Sequence, residues 1–197
     1  NTDFNRASAT ESGRSVFEFG VDNDIAEQLS QISKQQETSL FDVLVAGLTI
    51  LLYRYSTQED ICIGNITSGD KENLLALRNE ITGEDIFTDL LKRVKNTTLE
   101  AHQNKGVSFE KVIDGLGKDA KKGNPFFKIV FAFNNKSAVN EASEYELSFI
   151  LNESPTGISG EISYNTALYH KSTIERMAGH YRQLLDSIVK NPSNKIG

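Results

Sequence analysis

The stretch LFDVLVAGLTILLYRY, Leu40 to Tyr55, constrains this chain more than any other. At helical spacing, Leu40, Val43, Leu44, Ala46, Leu48, Ile50, Leu51 and Leu52 surround the axis instead of forming one stripe. A helix apolar on most sides is a central core element, so other elements must wrap it. Thr38 or Ser39 opens it as a cap. Gly47 in its middle costs helix propensity, which implies close packing against a neighbour. Asp42 and the shortness of the run speak against a membrane span.

The flanking sequence supplies those other elements. SVFEFG, Ser15 to Gly20, alternates apolar and polar and reads as a strand. Asp22 caps a helix to about Gln36, with Ile25, Leu29 and Ile32 on one face. DICIGNIT, Asp60 to Thr67, reads as a buried strand, and NLLALRNE, Asn73 to Glu80, as another. Thr82 caps a helix from about Asp85 to His102, with Ile86, Leu90, Leu91, Val94 and Leu99 inward. A short helix is expected over Phe109 to Leu116, followed by an exposed loop, Gly115 to Pro125. FFKIVFAFN, Phe126 to Asn134, is a strongly apolar strand. YELSFILN, Tyr145 to Asn152, and GISGEISYN, Gly157 to Asn165, alternate across ESPT and form an antiparallel hairpin. Ser172 or Thr173 begins the last helix, to about Lys190, with Ile174, Met177, Tyr181, Leu184, Leu185 and Ile188 inward. Strands mixed with helices, then strands, then a terminal helix imply one α/β domain: a two-layer sandwich whose mixed sheet carries helices mainly on one face.

With 197 residues, 38% hydrophobic and 24% charged, the chain is globular and long enough to bury one sizeable core. The net charge of −6 comes with no basic stripe, which argues against nucleic acid as a partner. The lone Cys62 excludes an internal disulfide and reads as a structural thiol, consistent with a reducing, cytoplasmic setting. The first residues, NTDFNRASATESGRS, contain no apolar signal core.

Chemistry-bearing residues do not assemble into a constellation. His102 falls at a helix C-terminus, where a polar or cationic side chain suits exposed carbonyls, and no nucleophile stands near it in sequence. Ser108 reads as a cap, with Glu110 and Lys111 in its first turn; Glu110 lacks a partner carboxylate. His170 and His180 lie on different elements at a separation unlike metal-ligand spacing. GLGKDAKKG lacks the phosphate-cradling spacing GxxxxGK[ST], and GxSxG and HExxH are absent. No catalytic, cofactor-binding or metal-binding residue is assigned, and no cofactor is expected.

Five ordered segments, taken together, resemble the C-terminal lobe of a non-ribosomal peptide synthetase condensation domain, of the chloramphenicol acetyltransferase-like superfamily. TDFNR is similar to the family's TDxPR crossing segment. Thr38 to Asn65, TSLFDVLVAGLTILLYRYSTQEDICIGN, follows TLFxxLLAAFxxLLxRYxGQxDIxxG. HQNKGVSFEKVIDGL, His102 to Leu116, resembles HQDxPFExLVxxL. GNPFFKIVFAFNN resembles NPLFQVxFxxQN, and Gly157 to Val189 follows GLxGxxEYNTDLFxxxTIxRMxxHfxxLLxxIV. On this resemblance His102 to Leu116 is framework, not an active-site base.

The family's catalysis is attributed to an HHxxxDG motif in the N-terminal lobe, and no HH pair occurs in this sequence. The segment SGDKENLLALRNE is shorter than the family's floor loop, which ends in an IGxFVNTL-type motif. The stretch near Lys136 to Glu144 is also shortened. The resemblance therefore implies a condensation-domain C-terminal lobe over 1–190, with 191–197 beginning a linker to an adenylation domain. It implies a chain without catalysis of its own: a truncated condensation-like domain serving as platform for the adjacent adenylation domain. The alternatives are a recruitment module for a carrier protein or tailoring enzyme in trans, or half of a split amide-forming enzyme. A lobe built for a missing partner would leave a broad apolar face in water.

Overall fold

The structure is a computed structural model, and it describes residues 2–5, 13–67, 74–104, 128–135, 138 and 145–197. In chain order the elements are β1 (Arg14–Asp22), α1 (Asn23–Gln35), α2 (Leu40–Ser56), β2 (Asp60–Ile66) and β3 (Leu74–Glu80). They continue with α3 (Phe87–Gln103), β4 (Ile129–Phe133), β5 (Leu147–Ser154), β6 (Gly157–Asn165) and a last helix, α4 (Lys171–Lys190).

The strands form one six-stranded sheet in the order β1-β6-β5-β4-β2-β3. It is mixed: β2/β4 and β4/β5 are parallel, and the β1/β6, β5/β6 and β2/β3 pairs are antiparallel. The expected hairpin is present, with Leu147 opposite Tyr164 and Ser154 opposite Gly157. Gly157 has φ +122, and an added Cβ would meet the Val21 carbonyl oxygen at 2.1 Å, so only glycine fits that turn.

Strand alternation sorts the two faces. Phe17, Phe19 and Val21 of β1, Ile61 and Ile63 of β2, Leu77 of β3, Phe131 of β4, Phe149 of β5 and Ile162 of β6 share the face on which the four described helices pack. The core is therefore a two-layer sandwich, as the element order implied. Along its centre runs α2, whose residues from Asp42 to Leu52 are buried. Its first turn is locked by a capping box. The Asp42 N–H donates to Ser39 Oγ at 3.1 Å, and the Ser39 N–H and the Thr38 hydroxyl donate to Asp42 Oδ2. At Gly47 a Cβ would stand 3.0 Å from Leu185 Cδ2 and 3.4 Å from Tyr181 Cε2, which explains the glycine by close approach of α4. Tyr181 is fully buried and its hydroxyl donates to the Leu44 carbonyl at 2.8 Å.

Two expectations about α3 are corrected. Leu99 is 51% exposed, while Phe87, Leu90, Leu91 and Val94 are buried. Leu99 lies five residues beyond Val94, which rotates it roughly 140° off the inward line of the helix. Thr82 does not cap α3. Its N–H and hydroxyl both donate to Asp85 Oδ2, at 2.7 and 3.3 Å, closing a turn one step earlier, and the helix begins at Phe87 behind Ile86. The helix expected over Phe109 to Leu116, the Ser108 cap with Glu110 and Lys111, and the loop Gly115 to Pro125 lie outside the described residues. Most of the shortened segments before β3 and after β4 do so as well.

The second face of the sheet differs from the first. Ile66, Val130, Ala132, Ala138 and Ile150 form a small buried apolar cluster at its centre, against half-buried Cys62, Leu74 and Tyr145. Toward β1 and β6 this face turns polar: Arg14, Glu18, Glu161 and Ser163 share it. Among the described residues the exposed large apolar side chains are Phe4, Val16 and Leu99, so the broad apolar face expected of an unpartnered lobe is not found there.

Candidate functional site

Each of the three histidines is built into the scaffold by its own neighbours. His102 sits in the last turn of α3, where its Nδ1 meets the Thr98 carbonyl oxygen at 2.8 Å, a helix-terminal bond of the kind its position implied. His170 precedes α4. Its backbone N–H donates to Asp3 Oδ2 at 2.8 Å, and its ring lies on Phe4 at 4.3 Å between centroids. His180 stands on α4, with its Nδ1 2.9 Å from the Tyr55 hydroxyl of α2. The contacts of His180 with Tyr55 and of His170 with Asp3 and Phe4 were missed by sequence reasoning, because they join residues far apart in the chain. No group of three or more His, Cys, Asp or Glu residues able to hold a metal ion occurs among the described residues.

Cys62 lies on the second face of the sheet. Burial chiefly, with the Asp60 carboxylate beside it, pushes its thiol above the ordinary range, against the opposing pull of Arg78. A thiol held in its protonated form is a poor nucleophile, which agrees with a structural role. Asp60 and Arg78 are paired across β2 and β3, with Arg78 Nη2 2.6 Å from Asp60 Oδ2. Exposed as they are, they contribute little to stability.

The most elaborate polar arrangement surrounds the last residues of the chain. Arg54, in the last turn of α2, donates from Nε at 3.1 Å and Nη2 at 2.8 Å to the Ile196 carbonyl oxygen. The Ile196 N–H donates to the Asp85 carbonyl at 2.8 Å, and the Gly197 N–H to the Gly83 carbonyl at 3.0 Å. Lys195 pairs with Glu84, and Ile86 and Lys195 form a β-bridge. Ile196 is 3% exposed, plugged into the end of the core. Asp85 is the hub of the receiving turn. Burial alone would raise its carboxyl, but the Thr82 N–H and the Arg93 guanidinium, 2.8 Å away, hold it below the usual carboxylate range.

The family model described as "Condensation domain" matches residues 4–197. The chain belongs to the condensation-domain family of non-ribosomal peptide synthetases. Curated relatives include tyrocidine synthase 3 of Brevibacillus parabrevis, 29% identical over 223 residues, which cover 99% of this chain and 3% of that protein. Gramicidin S synthase 2 of Aneurinibacillus migulanus is 31% identical over 220 residues, covering 98% of this chain and 5% of that protein. This condensation-family chain thus spans a small fraction of those synthetases. Among solved structures, it superposes on the X-domain from teicoplanin biosynthesis with a TM-score of 0.85 and 19% identity, covering 99% of this chain and 51% of that one. For a four-domain non-ribosomal peptide synthetase bound to AMP and glycine the TM-score is 0.87 at 17% identity, covering 99% of this chain and 18% of that one. These likenesses establish the chloramphenicol acetyltransferase-like fold, and against single condensation-type domains the chain accounts for about half the length.

No single helix among the described residues is long and apolar enough to cross a membrane. The α1–α2 pair passes such a test by length and composition together, but it is bent by 106° and α2 is the core helix.

Proposed function

We propose that this condensation-family region is a structural platform in a peptide synthetase, without amide-forming chemistry of its own, and that it seats a neighbouring adenylation domain beyond residue 190. The observation that carries the reading is the state of the second sheet face. A lobe that needs a partner lobe to complete a tunnel would present a wide apolar surface to it. Here the apolar centre of that face, Ile66, Val130, Ala132, Ala138 and Ile150, is already buried within the chain. The three histidines support the same reading, since each is occupied by scaffold contacts rather than facing a shared cleft.

The anchored tail supports the adenylation side of the proposal. Arg54 and the Gly83–Ile86 turn grip residues 195–197, so a domain attached beyond Gly197 would leave the platform from a fixed point. Relative motion of two domains is the default unless their interface is large and hydrophobic, so the platform reading requires such an interface in addition to the held connection.

Two measurements test this. The chain is mixed with aminoacyl and peptidyl carrier proteins, and products are followed by intact-protein mass spectrometry. No amide product is expected, and turnover above a buffer control would sink the platform reading. In a protein that joins this chain to an adenylation domain at Gly197, small-angle scattering should give one compact arrangement that loosens in Arg54→Ala. Independent tumbling of the two domains in the parent protein would favour recruitment of a partner in trans.

A further inference from the structure

Among the described residues the sheet ends at β1, which pairs there on one side, with β6. Two hydrogen bonds set the direction of its backbone groups. The Thr166 N–H donates to the Gly13 carbonyl at 2.9 Å, whereas the Asn165 N–H donates the other way, to the Glu146 carbonyl at 3.1 Å. By antiparallel alternation, Ser15, Phe17, Phe19 and Val21 turn their peptide groups toward β6, and Val16, Glu18 and Gly20 turn theirs outward. Val16 is 49% exposed, Glu18 and Gly20 are exposed, and among the described residues nothing pairs with these outward groups. An open edge of this kind is a template for another strand.

The charge beside the edge is one-sided. Glu18 stands directly opposite Glu161 in the β1/β6 register, and one Glu161 carboxylate oxygen is buried without a hydrogen-bond partner. Like charges directly across a sheet are destabilising. Burial first, then Glu18, push the Glu161 carboxyl above its ordinary value. Asp22, at the end of β1 on the same alternation as Glu18, is exposed and acidic as well. Several acids elsewhere are matched, as in Asp60 with Arg78, Asp85 with Arg93 and Asp186 with Lys190, whereas among the described residues no ion pair is formed by Glu18, Glu161 or Asp22. Arg14 at the far end is occupied, donating to the Tyr145 carbonyl and to Ser163 Oγ.

We propose that the outer edge of β1 is a docking strip for an extended basic segment of a partner protein, which adds to the sheet as a strand and sets a lysine or arginine against Glu18. Backbone pairing supplies the affinity and alternate side chains supply the choice of partner. The arrangement argues against a second copy of this chain as the occupant. Two β1 edges meeting antiparallel about Glu18, the centre of the exposed outward run Val16–Gly20, would bring acid against acid, whereas a basic strand relieves the opposition of Glu18 and Glu161. The inference stands independently of the platform reading, because it rests on β1 and not on the tail.

The test is fluorescence anisotropy on the 197-residue chain at low salt with three labelled peptides: alternating lysine and valine, alternating glutamate and valine, and a lysine–valine peptide of the same charge interrupted by prolines. The first should bind at least about tenfold more tightly than either of the others, since only it offers both charge and a continuous strand. Gly20→Pro deletes an outward N–H and leaves the β6 ladder intact, so it should weaken that binding by about tenfold. Glu18→Lys, a surface change that keeps the fold, should do the same. Equal binding of the proline-interrupted peptide, or loss in Glu18→Lys without loss in a folded Gly20→Pro, means bulk charge attraction and overturns the proposal. A chain that dimerises through this edge, detected by sedimentation and abolished by Gly20→Pro, overturns it as well.

Discussion

Replacing Gly47 with alanine sets two opposed effects of similar size against each other. In a helix interior alanine is favoured over glycine by about 1 kcal/mol. Against that, the new Cβ would stand 3.0 Å from Leu185 Cδ2 and 3.4 Å from Tyr181 Cε2. Both side chains are buried, Leu185 and Tyr181 at 0%, so neither moves without disturbing the core. Overpacking of this kind costs roughly 1–3 kcal/mol. Gly47→Ala should therefore be neutral to about 2 kcal/mol destabilising, the reverse of what an exposed helical glycine would show. Leu185→Val removes the opposing δ-methyl at a cost of roughly 1 kcal/mol. In that background the alanine should recover much of its helical advantage, giving a coupling of about 1 kcal/mol or more between the two sites. Urea unfolding followed by far-UV circular dichroism measures this, since 1 kcal/mol moves the midpoint by about 0.5 M for a slope near 2 kcal/mol/M. Equal effects of Gly47→Ala in both backgrounds would show that the glycine is not there to admit α4, and the packing argument for α2 would fail.

Leu51, 2% exposed on the central helix, is the position where a charge should be least tolerated. Leu51→Asp should abolish the cooperative unfolding transition, because a buried unpaired carboxylate costs more than the several kcal/mol by which a domain of this size is stable; a parent-like melt would refute the core assignment. Asp85 gives a pH signature. Its carboxyl is held below the ordinary value of about 3.9, so it contributes stability above that pH which is lost as pH falls through the depressed folded value. Arg93→Met, which removes one of the groups holding it there, should flatten that part of the acid limb of a stability-versus-pH curve, and an unchanged limb would show that the pair is without effect.

Much of the fold was legible because its signals are local. The all-round apolar helix at Leu40–Ser56, the alternation in β1, β5 and β6, and the inward face of α4 each follow from backbone periodicity, which side-chain sequence reports directly. Leu99 was misplaced because apolar identity alone does not say which side of a helix a residue occupies near its end. Thr82 was misplaced because its N–H and hydroxyl both donate to Asp85 Oδ2 in a separate turn before the helix, so its side chain is not there to accept from a first-turn N–H. The candidate site was legible in one respect: the histidines fall at helix ends or flanks, where scaffold roles are common.

What the amino-acid order determined by itself is the set of elements, their apolar faces and the family, because periodicity and motif spacing are properties of neighbouring residues. Tertiary structure alone decided the strand order that leaves β1 at an edge, the opposition of Glu18 and Glu161, the approach of α4 to Gly47 and the grip of Arg54 on Ile196. Each of these joins groups far apart along the chain, and only the burial of one shared core brings them within contact distance.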